Sequence, residues 1–112
     1  VSWAARTGDE GGMTSPEELI AAAHSSCYAM AFSGQVGKAG GTVDSLDVNA
    51  DVTLGSDPAG GFRITRIHLT VRGRVSGIDE AGFMEAAEGA KAGCPVSKAL
   101  SGTSITLDAA LA

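Results

Sequence analysis

Two cysteines, Cys27 and Cys94, stand 67 positions apart in a chain of 112 residues, each framed by small side chains: His24-Ser25-Ser26-Cys27 and Ala92-Gly93-Cys94-Pro95. A neutral, buried thiol packs as a small hydrophobe, whereas a thiolate is a nucleophile. Proline directly after Cys94 marks a helix start. A thiol there faces unpaired backbone N–H groups and the positive end of the helix dipole, both of which favour the thiolate. Cys27 has no such help within its own helix, and burial would push its pKa up. An unperturbed thiol near pKa 8.5 is only a few per cent ionised at pH 7; half ionisation requires a shift of about 1.5 units, roughly 2 kcal/mol, which one adjacent guanidinium supplies. A nucleophilic Cys27 therefore requires a cation, such as an arginine on the polar face of a strand. A zinc site would have to use Cys27, Cys94, His24 and His68 with no spare ligand and no C-x-x-C pair, so no metal is expected. His24, one turn before Cys27, is expected to be structural with a local hydrogen bond, and His68 to be solvated.

The elements that position these groups follow from patterning. Val1-Ser2-Trp3-Ala4-Ala5 reads as the remnant of a strand, followed by a Gly-rich stretch (Gly8, Gly11, Gly12). Thr14-Ser15-Pro16-Glu17-Glu18-Leu19 combines a hydroxyl cap, proline at the first helical position and two acids in the first turn, which starts a helix at Pro16. That helix carries small or apolar residues on nearly every face and is expected to be buried all round, ending in the series Gly34, Gly37, Gly40 and Gly41. Leu46 to Leu54 alternates apolar and polar, as a strand with one wet face does. After the turn Asp57-Pro58-Ala59-Gly60-Gly61, a second strand changes phase between Ile64 and Ile67, which predicts a β-bulge near Thr65 and Arg66. Its arginines, Arg63, Arg72 and Arg74 among them, are expected across from Asp47 and Asp51. Asp79 caps a helix with Ala81, Phe83, Met84, Ala87 and Ala90 on its apolar side, closing at Gly93. A short helix follows from Pro95, and Thr103 to Leu111 alternates as a final strand. Helix, two strands, two helices and a strand make an α+β domain, read as one domain over residues 1–112.

The chain sums 8 basic against 13 acidic residues, a net charge of −5, with 44% hydrophobic and 19% charged residues. Such a composition is that of a folded domain with room for a core, and excludes disorder. No basic face with interleaved aromatics exists to meet phosphates, so nucleic acid is not an expected partner. Apolar runs such as Cys27 to Phe32 are far shorter than the roughly 20 residues that span a bilayer, and a soluble protein is expected.

Thr14-Ser15-Pro16-Glu17-Glu18-Leu19-Ile20-Ala21-Ala22-Ala23-His24-Ser25-Ser26-Cys27, followed far downstream by Lys91-Ala92-Gly93-Cys94-Pro95-Val96-Ser97, closely resembles the OsmC/Ohr family of bacterial peroxide-reducing proteins, nearer its OsmC branch. The resemblance runs over essentially the whole chain. It implies a long buried central helix against an antiparallel-type sheet, an intertwined homodimer, a cytoplasmic cysteine-based peroxidase of the stress response, and no metal, haem or flavin cofactor. By position, Cys27 matches the family's peroxidatic cysteine, Cys94 its resolving cysteine, Glu17 the acid of the active-site network and Arg6 the activating arginine. The partners implied are an organic hydroperoxide and an external dithiol reductant, possibly lipoyl-type. Leu19, Met30, Phe32, Phe83 and Met84 are candidates for apolar walls of the site. Family members open with a β-hairpin ahead of the arginine that has no counterpart here, so either an N-terminal piece is missing or the dimer is completed differently near Arg6.

Glu17 sits ten residues before Cys27, about 15 Å along a continuous helix, and cannot touch it. If Glu17 holds the arginine beside Cys27, it does so from a second subunit, most simply with two central helices antiparallel about a twofold axis, so that each active site is shared. Two other readings stay open: a redox-responsive or ligand-binding dimer without useful turnover, and a structural domain with two inert thiols.

Overall fold

The computed structural model describes residues 3–7 and 14–112. Its elements are α1 (Trp3–Thr7), α2 (Pro16–Lys38), β1 (Thr42–Ser56), β2 (Phe62–Ser76), α3 (Glu80–Gly93), α4 (Pro95–Ala99) and β3 (Ser104–Leu111). The α+β class and the order of elements follow the patterning of the sequence. The first segment does not: Trp3–Thr7 is a short helix, not a strand, with Thr7 Oγ1 donating to the Trp3 carbonyl at 2.8 Å. The Gly-rich stretch lies outside the described residues.

Helix α2 begins as its residues dictate. Ser15 is extended and its hydroxyl accepts from the Glu18 N–H at 3.2 Å, with Pro16 occupying a position whose missing N–H costs nothing. It runs straight through Gly34 and Gly37. What ends it is Gly40, whose φ of +88° lets Gly40 N–H reach the Gly37 carbonyl and Gly41 N–H reach the Val36 carbonyl, a Schellman closure. The expectation of burial on every face is overturned in the single chain. Only a stripe at Glu17, His24, Tyr28, Phe32 and Val36 is buried, because the sheet and α3 cover one side of the helix and none of the described residues covers the other. Leu19 and Met30 stay 55% and 77% exposed.

The sheet has the order β1-β2-β3. β1 and β2 form the expected antiparallel pair, whereas β3 joins β2 in parallel, because α3 and α4 carry the chain back before it starts. Register shifts opposite Thr53/Leu54, where Thr65 is the extra residue, and between Val43 and Ser45. The first is the bulge read from the change of phase. Past it, Ile67, Leu69 and Val71 point into the core with no exposed surface and meet Tyr28, Phe32 and Val36 of α2 and Phe83, Ala86, Ala87 and Ala90 of α3. Met84 and Ala81 face outward instead. Phe32 and Phe83 meet edge to face with centroids 5.3 Å apart. Phe32→Ala is expected to lower the unfolding free energy by about 3–5 kcal/mol in a denaturant titration, since it empties the contact between both long helices and the sheet.

The other face of the sheet is polar. Asp47 stands opposite Arg72 as expected, yet the guanidinium turns to Asp108 of β3, at 3.3 and 3.2 Å to its two carboxylate oxygens. The third strand offers a two-oxygen acceptor that β1 does not match. Asp51 faces His68, Arg63 faces Gly55 and Arg74 faces Ser45. His68 is half-buried rather than solvated, its Nδ1 2.6 Å from Thr106 Oγ1.

Candidate functional site

Cys27 lies in the fourth turn of α2. Cys94 is held where α3 gives way to α4: Pro95 forces the preceding residue out of the helical region, and Cys94 takes up φ −60°, ψ 125° while its N–H still bonds the Ala90 carbonyl at 2.9 Å. This junction swings the Cys94 sulfur against α2, with the two Sγ atoms 2.9 Å apart. Both are free thiols. A disulfide needs about 2.05 Å, so an approach of roughly an ångström would close it. Cys94 is fully buried, while Cys27 is partly exposed.

The two thiols differ in acidity. Burial pushes Cys27 up, the hydrogen bond it shares with Cys94 adds to this, and a backbone hydrogen bond with Val96 only partly opposes it. Burial also works against ionising Cys94, but hydrogen bonds from Cys27, from the Ser97 backbone and hydroxyl and from the Val96 backbone outweigh it and bring Cys94 down. Within one chain, Cys94 is therefore the thiol that ionises first. The first turn of α4 supplies those donors, as the sequence position of Cys94 before proline suggested.

Arg6 and Glu17 form the second pair. Arg6 Nε donates to Glu17 Oε1 at 2.5 Å, and the guanidinium carbon lies 5.8 Å from the centroid of the Trp3 ring. Glu17 is 6% exposed, and its Oε2 is buried with no hydrogen-bond partner among the described residues. The pair borders a groove of about 680 Å³ whose walls include Ala21, Ala50, Val52 and Phe62. The four residues singled out in the sequence thus come together as two pairs, Cys27 with Cys94 and Arg6 with Glu17. The pairs are separated by ten residues of α2, about 15 Å of helix. Of the candidate apolar walls, Phe32 and Phe83 are core, and Leu19, Met30 and Met84 are exposed.

His24 does not bond locally. It is fully buried, and its Nε2 lies 2.7 Å from the hydroxyl of Ser97, 73 residues away. Ser97 escaped the sequence reading; the available signal was its place three residues after Cys94, in the turn whose donors face that sulfur. Among the described residues, no three His, Cys, Asp or Glu side chains converge to hold a metal, and no helix is long and apolar enough to cross a membrane.

Fold and site together define an α+β domain with a two-thiol centre formed between a long central helix and the junction of two later ones. The chain belongs to the OsmC-like protein family, whose pattern matches residues 8–109. It is 50% identical over 95 residues to Peroxiredoxin OsmC of Escherichia coli (strain K12), a match that covers 85% of this chain and spans 65% of that relative's length. This bears out the resemblance to the OsmC branch. Among solved structures, the organic hydroperoxide resistance protein OhrB of Bacillus subtilis superposes with a TM-score of 0.77 at 27% identity, covering 92% of this chain and 76% of that one. An OsmC-like protein from Mycoplasma pneumoniae shares the fold with a TM-score of 0.79 at 18% identity, over 96% of this chain and 78% of that one.

Proposed function

We propose that this chain is a thiol-dependent peroxidase that reduces organic hydroperoxides to alcohols. The observation that carries the proposal is the 2.9 Å approach of a partly exposed Cys27 to a buried Cys94. The Cys27 thiolate attacks the distal oxygen of the hydroperoxide, the O–O bond breaks, the alkoxide leaves and takes a proton to become the alcohol, and Cys27 is left as sulfenic acid. The Cys94 thiolate then attacks the Cys27 sulfur, the S–O bond breaks and hydroxide leaves, taking a proton to become water, which closes the disulfide. An external dithiol reopens it by exchange. The name of the Escherichia coli relative supports the reaction class, and that of the Bacillus subtilis protein supports an organic peroxide. A lipoyl-type dithiol and a cytoplasmic setting, where such a reductant works, complete the reading, with no metal or organic cofactor in the cycle.

Cys27 needs a cation that the described residues of its own chain do not bring to it, and Arg6 is committed to Glu17 at the other end of the helix. The proposal therefore includes a homodimer in which antiparallel α2 helices place the Arg6–Glu17 pair of one subunit beside the Cys27–Cys94 pair of the other. The exposed apolar side of α2 and the unpartnered Glu17 Oε2 agree with a second chain lying there. Its test is stopped-flow oxidation with cumene hydroperoxide: one equivalent consumed rapidly, and none by Cys27→Ser. The raised pKa of Cys27 within the single chain favours the other reading, a redox-responsive dimer without turnover, which the same trace would reveal as slow oxidation insensitive to added dithiol.

A further inference from the structure

Two buried polar side chains meet between α2 and the first turn of α4, three residues from Cys27 and from Cys94 respectively, and the proposed cycle has not used them. His24 Nε2 and Ser97 Oγ are 2.7 Å apart, with exposures of 0% and 5%. His24 Nδ1 is buried with no partner among the described residues. A buried N–H without an acceptor is a worse fault than a bare lone pair, so the proton belongs on Nε2, where it has the serine oxygen to meet. Burial also holds His24 below its usual pKa and keeps it neutral. Accepting from His24, Ser97 keeps its one hydroxyl proton to donate, and it stands three residues after Cys94 in the first turn of α4, where its hydroxyl is among the groups that bring Cys94 down. The direction of all three groups is thereby settled from one end.

We infer that His24 and Ser97 are positioning residues that hold Cys94 as the leaving group when the disulfide is reduced. Only the Cys27 sulfur can be reached from solvent, since Cys94 has no exposed surface. The thiolate of the external dithiol therefore attacks Cys27 and forms a mixed disulfide with it. The Cys27–Cys94 bond breaks, and its electron pair goes to Cys94, whose thiolate receives the Ser97 hydroxyl proton as a hydrogen bond while His24 holds the serine in place. The dithiol's second thiol then displaces Cys27 and the dithiol leaves oxidised. A leaving thiol of lower pKa departs faster, so the pair of side chains accelerates the reductive half of the cycle. His24 touches neither peroxide nor reductant and acts through Ser97 alone. This inference rests on the peroxidase reading for its place in a cycle, but its chemistry is measurable without peroxide.

With Cys27→Ser, Cys94 is the sole thiol, and its thiolate absorbance near 240 nm can be followed against pH. Tyr28, which also feels Cys94, is pushed far up by burial and bonds the Ala87 carbonyl, so it stays silent over that range. In this background Ser97→Ala is expected to cut the thiolate fraction at pH 7 about tenfold, one unit of pKa. His24→Leu lowers it less, His24→Gln restores it by again offering an N–H, and His24→Leu added to Ser97→Ala changes nothing more. With both cysteines present and the disulfide formed by diamide, Ser97→Ala slows reduction by dithiothreitol about tenfold. Ser97→Ala removes one oxygen atom and retains the fold, so an unchanged titration midpoint in that variant overturns the inference, as does full additivity of the His24 and Ser97 effects. If the protein consumes no peroxide while these shifts hold, the peroxidase reading fails and the role of the pair stands.

Discussion

Arg6→Ala is expected to slow the reaction of the protein with cumene hydroperoxide by about a hundredfold or more. In the proposed dimer, removing the guanidinium takes the thiol of Cys27 from about half ionised to a few per cent ionised at pH 7, a loss of roughly fifteenfold in nucleophile. The charge that develops on the departing alkoxide also loses its stabilisation, worth a further tenfold or more. Burial and the neighbouring Cys94 both hold the Cys27 proton on, and the backbone hydrogen bond with Val96 opposes them only in part. The variant that tests sharing is a mixture. In the proposed homodimer, neither Arg6→Ala nor Cys27→Ser homodimers have a complete site, but a heterodimer has one subunit with its Cys27 intact facing a partner with its Arg6 intact. Random exchange puts half of the dimers in that form with one working site in two, so about a quarter of the native rate should return on mixing. If the arginine acted within its own chain, the mixture would stay inactive. An Arg6→Ala protein as fast as the native one would remove the activating role altogether.

Cys94→Ser is expected to leave the first oxidation within a few-fold of the native rate and to abolish turnover. One equivalent of hydroperoxide is consumed, Cys27 stops at sulfenic acid and can be trapped with dimedone, and added dithiol yields none of the native steady-state rate. Cys27→Ser consumes nothing. The acidity of the two thiols makes this a demanding test. Within one chain Cys94 is the thiol brought down and Cys27 the one pushed up, so a chain acting alone would start with Cys94. Exposure argues the other way, since a peroxide reaches Cys27 and not Cys94. Access decides if a second subunit supplies the cation; acidity decides if it does not. Dimedone labelling of Cys94 in Cys27→Ser, with no labelling of Cys27 in Cys94→Ser, would reverse the roles.

Much of this was legible in the residues because it depends on short-range chemistry. Ser15-Pro16-Glu17-Glu18 specifies a helix start in four positions, and Asp79 caps α3 with its carboxylate accepting from the Gly82 N–H at 2.8 Å. The phase change between Ile64 and Ile67 located the bulge because the period of a strand leaves no other way to absorb an extra residue. Gly34 and Gly37 misled because a glycine in a helix interior costs only about 1 kcal/mol and need not end the helix. Only Gly40 takes the positive φ that stops one. The fate of Arg72 was hidden for a different reason: β3 arrives parallel to β2, and no local pattern says that Asp108 will lie within reach.

By itself, the sequence determined the elements from Pro16 onward, the class of fold and the two thiols worth attention, since caps, periodicity and the proline after Cys94 act over a few residues. The tertiary structure alone decided which groups meet: Cys94 with Cys27, Arg6 with Glu17, and His24 with Ser97 across 73 residues. Such meetings are set by how helices cross and a sheet orders its strands, and those depend on the whole core rather than on any segment of the chain.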